Sequence, residues 1–186
     1  PVALRSQSFR SGRVVAEIAE ILLPDPGADD GTAKSYILDN LRSAPGHLMR
    51  RCQQIAVSVF LDECRAFDLT PLQFAVLTAL LKGGPEDQVH LGGSLALDRT
   101  TIGVVVKNLE ERGLVTRSVS EKDRRSKPVS ITRTGKALVY DAIGAAEAAQ
   151  DRMLAPLTVA ERKQFIRLLQ KMADGNNSES RAPLRR

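Results

Sequence analysis

Apolar residues recur at helical spacing along most of the chain. In residues 47–67 they form two adjoining stripes, and a helix that is apolar over so wide an arc must contact more than one neighbour. Thr70, a good N-cap, and Pro71, which suits the first helical position, begin a second apolar helix that ends at residues 83–85, Gly-Gly-Pro. This pattern predicts a mainly helical domain.

Two shorter helices are predicted between residues 91 and 113. The first is rich in leucine and small residues and needs close packing; it comprises Leu91, Gly92, Gly93, Leu95, Ala96 and Leu97. The second follows Asp98 as its N-cap and ends at Gly113, which supplies a left-handed stop. Its apolar side chains recur at i, i+3, i+4 and i+7 and therefore share one face: Ile102, Val105, Val106 and Leu109.

The opposite face of this second helix is small and polar. It is predicted to comprise Thr100, Val104, Lys107 and Glu111, with Gly103 and Asn108 on its flanks. Small side chains allow close approach, and hydroxyls and a lysine reach base edges or phosphate, so such a face suits a nucleic-acid groove. The alternative is an ordinary amphipathic helix pair in a protein core.

A hairpin with a basic tip is predicted after these helices. Residues 114–119 and 128–132 alternate apolar and polar positions, as half-buried strands do. The tip holds four cations, Lys122, Arg124, Arg125 and Lys127, and two acids, Glu121 and Asp123. A charged tip is usually just solvated, but a cationic tip soon after a small, polar helix face is what straddling DNA requires. Two helices followed by a hairpin outline a winged helix-turn-helix, which places a helix in the major groove and a hairpin over the adjacent backbone or minor groove.

Two long helices are predicted after the hairpin. Thr134 or Thr132 caps an alanine-rich helix over about residues 135–155, whose small side chains and length indicate packing across a dimer interface. Thr158 and Glu161 form a capping box for the last helix. The apolar face of that helix consists of Phe165, Ile166, Leu168, Leu169 and Met172.

The chain therefore divides into five predicted segments. Residues 1–35 are an N-terminal extension and linker, and residues 175–186 a disordered tail. Between them lie N-terminal dimerisation helices (36–66), a DNA-binding lobe (67–134) and C-terminal dimerisation helices (135–174).

Composition adds few constraints. A chain of 186 residues with 42% apolar residues can bury one good core, and a net charge of +5 is moderately basic. Cys52 and Cys64 lie about 18 Å apart if both are in one helix, so they cannot pair there, and free cysteines fit a reducing cytoplasm. No apolar run approaches the roughly 20 residues of a membrane span.

The sequence predicts binding rather than catalysis. The two histidines, His47 and His90, have no cysteine or carboxylate at ligand spacing, so neither a metal nor a cofactor is expected. The chain shows neither a glycine-rich phosphate loop after a strand nor a nucleophile elbow.

Three segments together resemble the MarR family of transcriptional regulators. DRRSKPVSITRTG is similar to the family's wing signature, LDRTTIGVVVKNLEERGLVTR to its recognition helix, and LTPLQFAVLTAL to the helix before the helix-turn-helix. The resemblance covers about residues 47–172. It implies that Arg125 enters the minor groove and that Asp123 orients it. It also implies an obligate homodimer with a small-molecule pocket between the dimer helices and the DNA lobe.

The predicted function is that of a cytoplasmic, homodimeric repressor released from a pseudo-palindromic DNA operator by a small anionic effector. The predicted DNA contacts are Arg99, Thr100, Thr101, Val104, Lys107, Arg124, Arg125 and Lys127. The family resemblance implies an effector of the aromatic-acid or acyl-CoA kind beside the first helix, and His47, Arg51 and Gln73 are the candidate contacts.

Two alternatives remain open at this point. Some members of the family sense peroxide through a thiolate near the start of the first helix, where Cys52 lies. Cys52 falls on an apolar stripe, however, and a buried cysteine is inert. The other alternative is a helical interaction module whose basic hairpin binds no specific DNA.

Overall fold

The computed structural model describes residues 40–117 and 128–185. The chain divides into two units, Pro1–Ala44 and Pro45–Arg186. In the first unit, the described residues include a 3₁₀ turn at Leu41–Ser43. The predicted N-terminal extension and the tip of the predicted hairpin lie outside the described residues.

Six helices and two strands are described in the second unit. They are α1 (Pro45–Glu63), α2 (Pro71–Gly83), α3 (Gln88–Ser94), α4 (Arg99–Glu111), β1 (Val115–Arg117), β2 (Val129–Ile131), α5 (Arg133–Leu154) and α6 (Val159–Gly175). Short 3₁₀ turns follow α1 at Arg65–Phe67 and α6 at Asn177–Glu179. The predicted fold class, mainly α with a small β-hairpin, is confirmed.

The helix caps explain most of the boundaries. Thr70 and Thr158 form capping boxes with Gln73 and Glu161, as a threonine followed three residues later by Gln or Glu predicts. Thr132, and not Thr134, caps α5, because its hydroxyl oxygen accepts the backbone N–H of Gly135 at 3.0 Å.

The first helix is displaced from its predicted position. It begins at Pro45, two residues early, because a proline is tolerated in the first turn, where backbone N–H groups have no helical partner. It ends at Glu63 instead of Phe67. Residues 65–67 tighten into the 3₁₀ turn, and Asp68 follows in the left-handed region with φ 50°.

The helix α3 has the predicted length of seven residues but begins and ends three residues earlier than predicted. It ends at Ser94, so Leu95 and Leu97 belong to the turn before α4, and Ala96 there has φ 53°. The close packing that the small residues predict is found at Gly92. A Cβ atom at that position would lie 3.1 Å from both Ile102 Cγ2 and the Leu97 carbonyl oxygen.

The two strands pair antiparallel, with Val115 opposite Ile131 and Arg117 opposite Val129. Val129 also exchanges two backbone hydrogen bonds with Glu86, at 2.8 and 3.0 Å, so β2 is held from both sides. The sequence pattern did not predict the Glu86 bridge, because a single paired residue has no periodicity.

One apolar core joins the helix-turn-helix, the hairpin and α5. Its buried residues are Leu69, Val76, Leu77, Leu80, Leu91, Ile102, Val105, Val106, Leu109, Leu114, Val115, Val129, Val139 and Ala142. A smaller cluster lies where α1 crosses α5 and contains Phe60, Cys64, Ala146 and Ala149. The rings of Phe60 and Phe74, 5.7 Å apart, connect α1 to α2.

Ion pairs reinforce the crossing of α1 and α5. The Arg152 guanidinium lies 2.6 Å from Asp62 and 2.8 Å from Glu63, and its hydrogen bond and charge hold the pKa of the Asp62 carboxyl below its usual value. Burial raises the pKa of the neighbouring Cys64 thiol. Cys64 is 1% exposed and packs in the smaller apolar cluster, as a structural residue does.

Residues 176–185, which composition predicts to be a disordered tail, are described in a folded-back conformation. The Asn177 side chain bonds the backbone of Leu184, and the Arg185 N–H donates to the carbonyl oxygen of Gly93 at 2.9 Å. Composition had suggested disorder, because the segment is polar and carries only one large apolar residue. Side-chain-to-backbone hydrogen bonds define its conformation instead.

Candidate nucleic-acid interface

The helix α4 has the two faces that its sequence predicts. Ile102, Val106 and Leu109 are at most 1% exposed, and Val105 is also buried. Arg99, Thr100, Val104 and Lys107 are exposed on the other side. The Asp98 carboxylate caps the helix by accepting the backbone N–H of Thr101 at 2.8 Å. Both ends of the predicted helix, and its rotation about its axis, are therefore confirmed.

Thr101 differs from the other predicted contact residues. It is half-buried, and its hydroxyl donates to the second carboxylate oxygen of Asp98 at 3.0 Å. The hydroxyl thus strengthens the cap, and only its oxygen lone pairs remain to meet a ligand. Thr100, one position earlier, is exposed.

The exposed face of α4 combines a cation with an apolar group. Lys107 faces Glu111 at 3.7 Å, with both side chains more than 60% exposed, so this pair is weak and leaves the ammonium free to turn towards a phosphate. Val104 is 55% exposed although it is apolar. A methyl group in this position suits the apolar contact that a thymine methyl offers in the major groove.

Two arginines that the sequence pattern did not indicate hold α4 in place. Arg117 on β1 reaches Glu110 at 3.4 Å and the Gln88 side chain at 3.1 Å, so it ties the hairpin to α4 and α3. Arg112, just after α4, donates to the backbone oxygens of Asp68 and Phe67, at 2.6 and 3.3 Å. These hydrogen bonds join residues 29 to 45 positions apart, which spacing along the sequence could not indicate.

The predicted wing residues Asp123, Arg124, Arg125 and Lys127 lie outside the described residues. The two strands that lead to them are described, and they run side by side directly after α4.

The predicted effector residues lie on two elements. His47 is half-buried and Arg51 is exposed, and both are on α1, where positions four apart are neighbours on the helix surface. Gln73 is on α2, and its amide oxygen accepts the Thr70 N–H at 3.0 Å and the Arg112 guanidinium at 3.4 Å. Gln73 therefore belongs to a helix cap and contacts the end of α4.

An apolar groove of about 480 Å³ runs between α1 and α6. Its walls are Pro45, Leu48, Met49, Cys52, Gln53, Ala56, Met153, Phe165, Leu169 and Met172. Cys52 opens into this groove and is exposed, which corrects the expectation that it is buried within the chain. The helix α6 of the same chain does not bury this face of α1, and apolar side chains of both helices remain exposed.

Within the described residues, no helix has the length and apolar content that crossing a membrane requires. Over the same ranges, no three histidine, cysteine or carboxylate side chains are grouped as a metal site would need.

A helix with a buried apolar face and an exposed polar face, preceded by a short helix and followed by an antiparallel hairpin, defines a winged helix-turn-helix DNA-binding protein. The family model described as MarR family matches residues 69–127. The chain is 33% identical over 151 residues to the HTH-type transcriptional repressor NicR of Pseudomonas putida, covering 79% of this chain and 96% of NicR. The chain belongs to the MarR family of transcriptional regulators.

Solved structures agree with this assignment. The Bordetella bronchiseptica regulator BpsR, whose DNA binding is regulated by 6-hydroxynicotinic acid, is 32% identical, with a TM-score of 0.69 over 77% of this chain and 99% of BpsR. PcaV of Streptomyces coelicolor, solved with its natural ligand, is 31% identical, with a TM-score of 0.65 over 73% of this chain and 95% of PcaV.

Proposed function

We propose that this regulator is a cytoplasmic homodimer that represses transcription from a pseudo-palindromic operator and releases it when a small aromatic carboxylate binds. The observation that carries the proposal is the arrangement of α4. Its apolar face is buried in the lobe core, and its cationic and small side chains are exposed beside the hairpin. The protein acts by binding, and the proposal assigns it no catalytic step.

A second copy of the chain is the partner that α6 requires. Every residue of α6 is at least partly exposed, and its apolar side chains Ile166, Leu168, Leu169 and Met172 are 39–48% exposed. Leu48, Met49 and Ile55 on α1 are exposed to a similar degree. A contiguous apolar surface of this kind marks an interface, and the family resemblance supplies the partner. A symmetric dimer then binds half-sites about one helical turn of DNA apart.

The choice of effector rests on the relatives and on the charge of α1. BpsR responds to 6-hydroxynicotinic acid, an aromatic carboxylic acid. Arg51 offers this chain's α1 a guanidinium that pairs with a carboxylate through two hydrogen bonds. A coenzyme A thioester of such an acid is the larger alternative ligand.

A route from the effector to the DNA lies in the contacts of Gln73 and Arg112. Gln73 caps α2 and accepts a hydrogen bond from Arg112, which directly follows α4. A ligand that moves α1 or α2 would therefore shift the end of α4. The effector changes the populations of the DNA-binding and the released conformation only if it binds them with different affinity. A hundredfold preference for the released conformation corresponds to about 2.7 kcal/mol.

Cys52 lines the groove that the second copy is proposed to cover, and this position favours a second candidate function, disruption of the interface by oxidation of its thiol. A Cys52→Ser variant separates the two candidates. If it still responds to the aromatic acid but loses its response to peroxide, the thiol is a second sensor.

The effector site is tested by Arg51→Ala. The operator is first obtained by selection from random duplexes, and a panel of aromatic acids and their coenzyme A thioesters is then screened for release. We expect Arg51→Ala to retain operator binding, because Arg51 is not on α4, and to lose release. Arg50→Ala, which removes the neighbouring charge, is the matched control. Calorimetry that finds wild-type effector affinity in Arg51→Ala would place the pocket elsewhere.

A further inference from the structure

Residues 177–185, which we call the tail loop, close on themselves after α6. The Leu184 N–H donates to Asn177 Oδ1 at 2.7 Å, and Asn177 Nδ2 donates to the Leu184 carbonyl oxygen at 3.0 Å. One asparagine side chain thereby holds both backbone groups of Leu184. The loop has a fixed shape although it is mostly polar.

The tail loop lies on the end of α3. The Arg185 N–H donates to the Gly93 carbonyl oxygen at 2.9 Å. The aliphatic part of Arg185 covers Gly93 so closely that a Cβ atom there would lie 3.0 Å from Arg185 Cδ. Gly93 thus leaves room for the aliphatic part of the arginine, and the residue is otherwise exposed to solvent.

Arg181 belongs to the same tail loop, four positions before Arg185. The pKa of the Asp98 carboxyl is lowered mainly by the hydrogen bonds from Thr101, and the positive charge of Arg181 also contributes. Arg181 is exposed. Arg185 is exposed as well.

We propose that the tail loop extends the DNA-binding surface, with Arg181 and Arg185 contacting phosphates beside the N-terminus of α4. The inference rests on the proposed operator binding. A recognition helix enters the groove with its N-terminal residues foremost, so phosphates pass close to that end. The Asp98 carboxylate, which α4 needs as its cap, would repel them, so cations on the tail loop docked at Gly93 favour phosphate binding there.

Phosphate contacts have a distinctive signature in binding measurements. They position the protein without reading sequence, so removing them weakens binding to operator and unrelated DNA alike. Removal of one phosphate-binding cation also reduces the slope of log K against log salt by about 0.9. Two arginines in each subunit make four such cations in a dimer, so we expect the slope to change by about 3 to 4.

The test compares the salt series of the wild type with that of Arg181→Gln/Arg185→Gln. We expect the double variant to bind both kinds of duplex at least about tenfold more weakly at physiological salt, with the smaller slope given above. Lys163→Gln/Arg167→Gln, which removes two charges from the polar side of α6, is the control and should leave the slope unchanged. Equal thermal melting of the three proteins shows that the fold is intact.

A third variant tests the docked position of the arginines. Asn177→Ala keeps every charge but removes both hydrogen bonds to Leu184, so the loop should open and DNA binding should weaken. Wild-type affinity in Asn177→Ala would show that docking is not needed and would overturn the inference.

The remaining outcomes separate this inference from the proposed function. If the wild type binds the operator and the double variant has the control's slope, only the role of the tail loop is wrong. A loss of affinity confined to the operator, with an unchanged slope, would mean that the loop merely positions the lobe, which also overturns the inference. A wild type that binds no duplex overturns both proposals.

Discussion

Lys107 and Leu109 lie two positions apart on α4 and face opposite sides of it. Lys107 is exposed and Leu109 is fully buried. Lys107→Ala should therefore lower DNA affinity and leave the melting temperature unchanged. Leu109→Ala should lower the free energy of unfolding by about 2 to 5 kcal/mol, because it leaves a cavity in the core. Gel shift and thermal melting measure both variants, and exchanged phenotypes would mean that the opposite face of α4 meets the DNA.

Arg125 is the predicted DNA contact of the wing. The sequence and the family resemblance predict that it lies at the hairpin tip and enters a narrow minor groove of enhanced negative potential. Arg125→Ala should weaken operator binding by about 1 to 3 kcal/mol and leave the dimer intact. Competition binding at moderate salt gives the value, with Lys82→Ala, near the end of α2, as a charge control. Unchanged affinity would remove Arg125 from the DNA contacts.

The sequence predicted residues of α4 well and long-range side-chain contacts poorly. Four apolar positions at helical spacing are enough to set the rotation of a helix, and each of them is buried. Arg112 and Arg117 gave no such signal, because their partners come from distant parts of the chain. Cys52 was expected to be buried because its stripe is apolar, yet the stripe is not covered within this chain.

The start of α5 lies very close to Leu114, the residue before β1, and to Ile131 on β2. A Cβ atom at Gly135 would clash with the Leu114 carbonyl oxygen and would lie 2.9 Å from Ile131 Cγ1. We expect Gly135→Ala to lower the free energy of unfolding by about 3 kcal/mol. The new methyl group would meet the Leu114 backbone, which cannot move away as easily as a flexible side chain. Chemical denaturation measures the change.

Gly144 supplies the matched control in the same helix. A Cβ atom there meets nothing within 4 Å, so Gly144→Ala should stabilise the protein by about 0.5 to 1 kcal/mol. If both variants destabilised the protein equally, the close approach at Gly135 would not be the cause.

At the scale of elements, caps and periodicity located the long helices within a few residues. Thr70, Thr132 and Thr158 each cap the helix that follows. The conformation of the tail loop could not be predicted from composition, because it depends on hydrogen bonds and one contact with Gly93. The short helix α3 ended early because Ala96 adopts a left-handed conformation that is uncommon for alanine.

The proposed homodimer would cover the apolar sides of α1 and α6, which are exposed in the single chain. Leu169, 39% exposed, lines the groove between them. Leu169→Glu should yield a monomer that binds DNA weakly, because a charge in the interface is costly when it is unpaired. Light scattering measures the mass, and circular dichroism should show the helical content unchanged. Gln170→Glu introduces the same charge on the polar side of α6 and should remain dimeric; a dimeric Leu169→Glu would exclude this surface as the interface.

We propose that the chain binds duplex DNA through α4 and the wing and that an aromatic acid releases it. The most direct measurement is a salt series of binding to the selected operator, with and without 6-hydroxynicotinic acid and related carboxylates. We predict a steep linear fall of log K with log salt and, at fixed salt, at least a tenfold drop in affinity with one of these acids. Weak binding that does not depend on salt, and that is the same for operator and unrelated duplexes, would contradict the account.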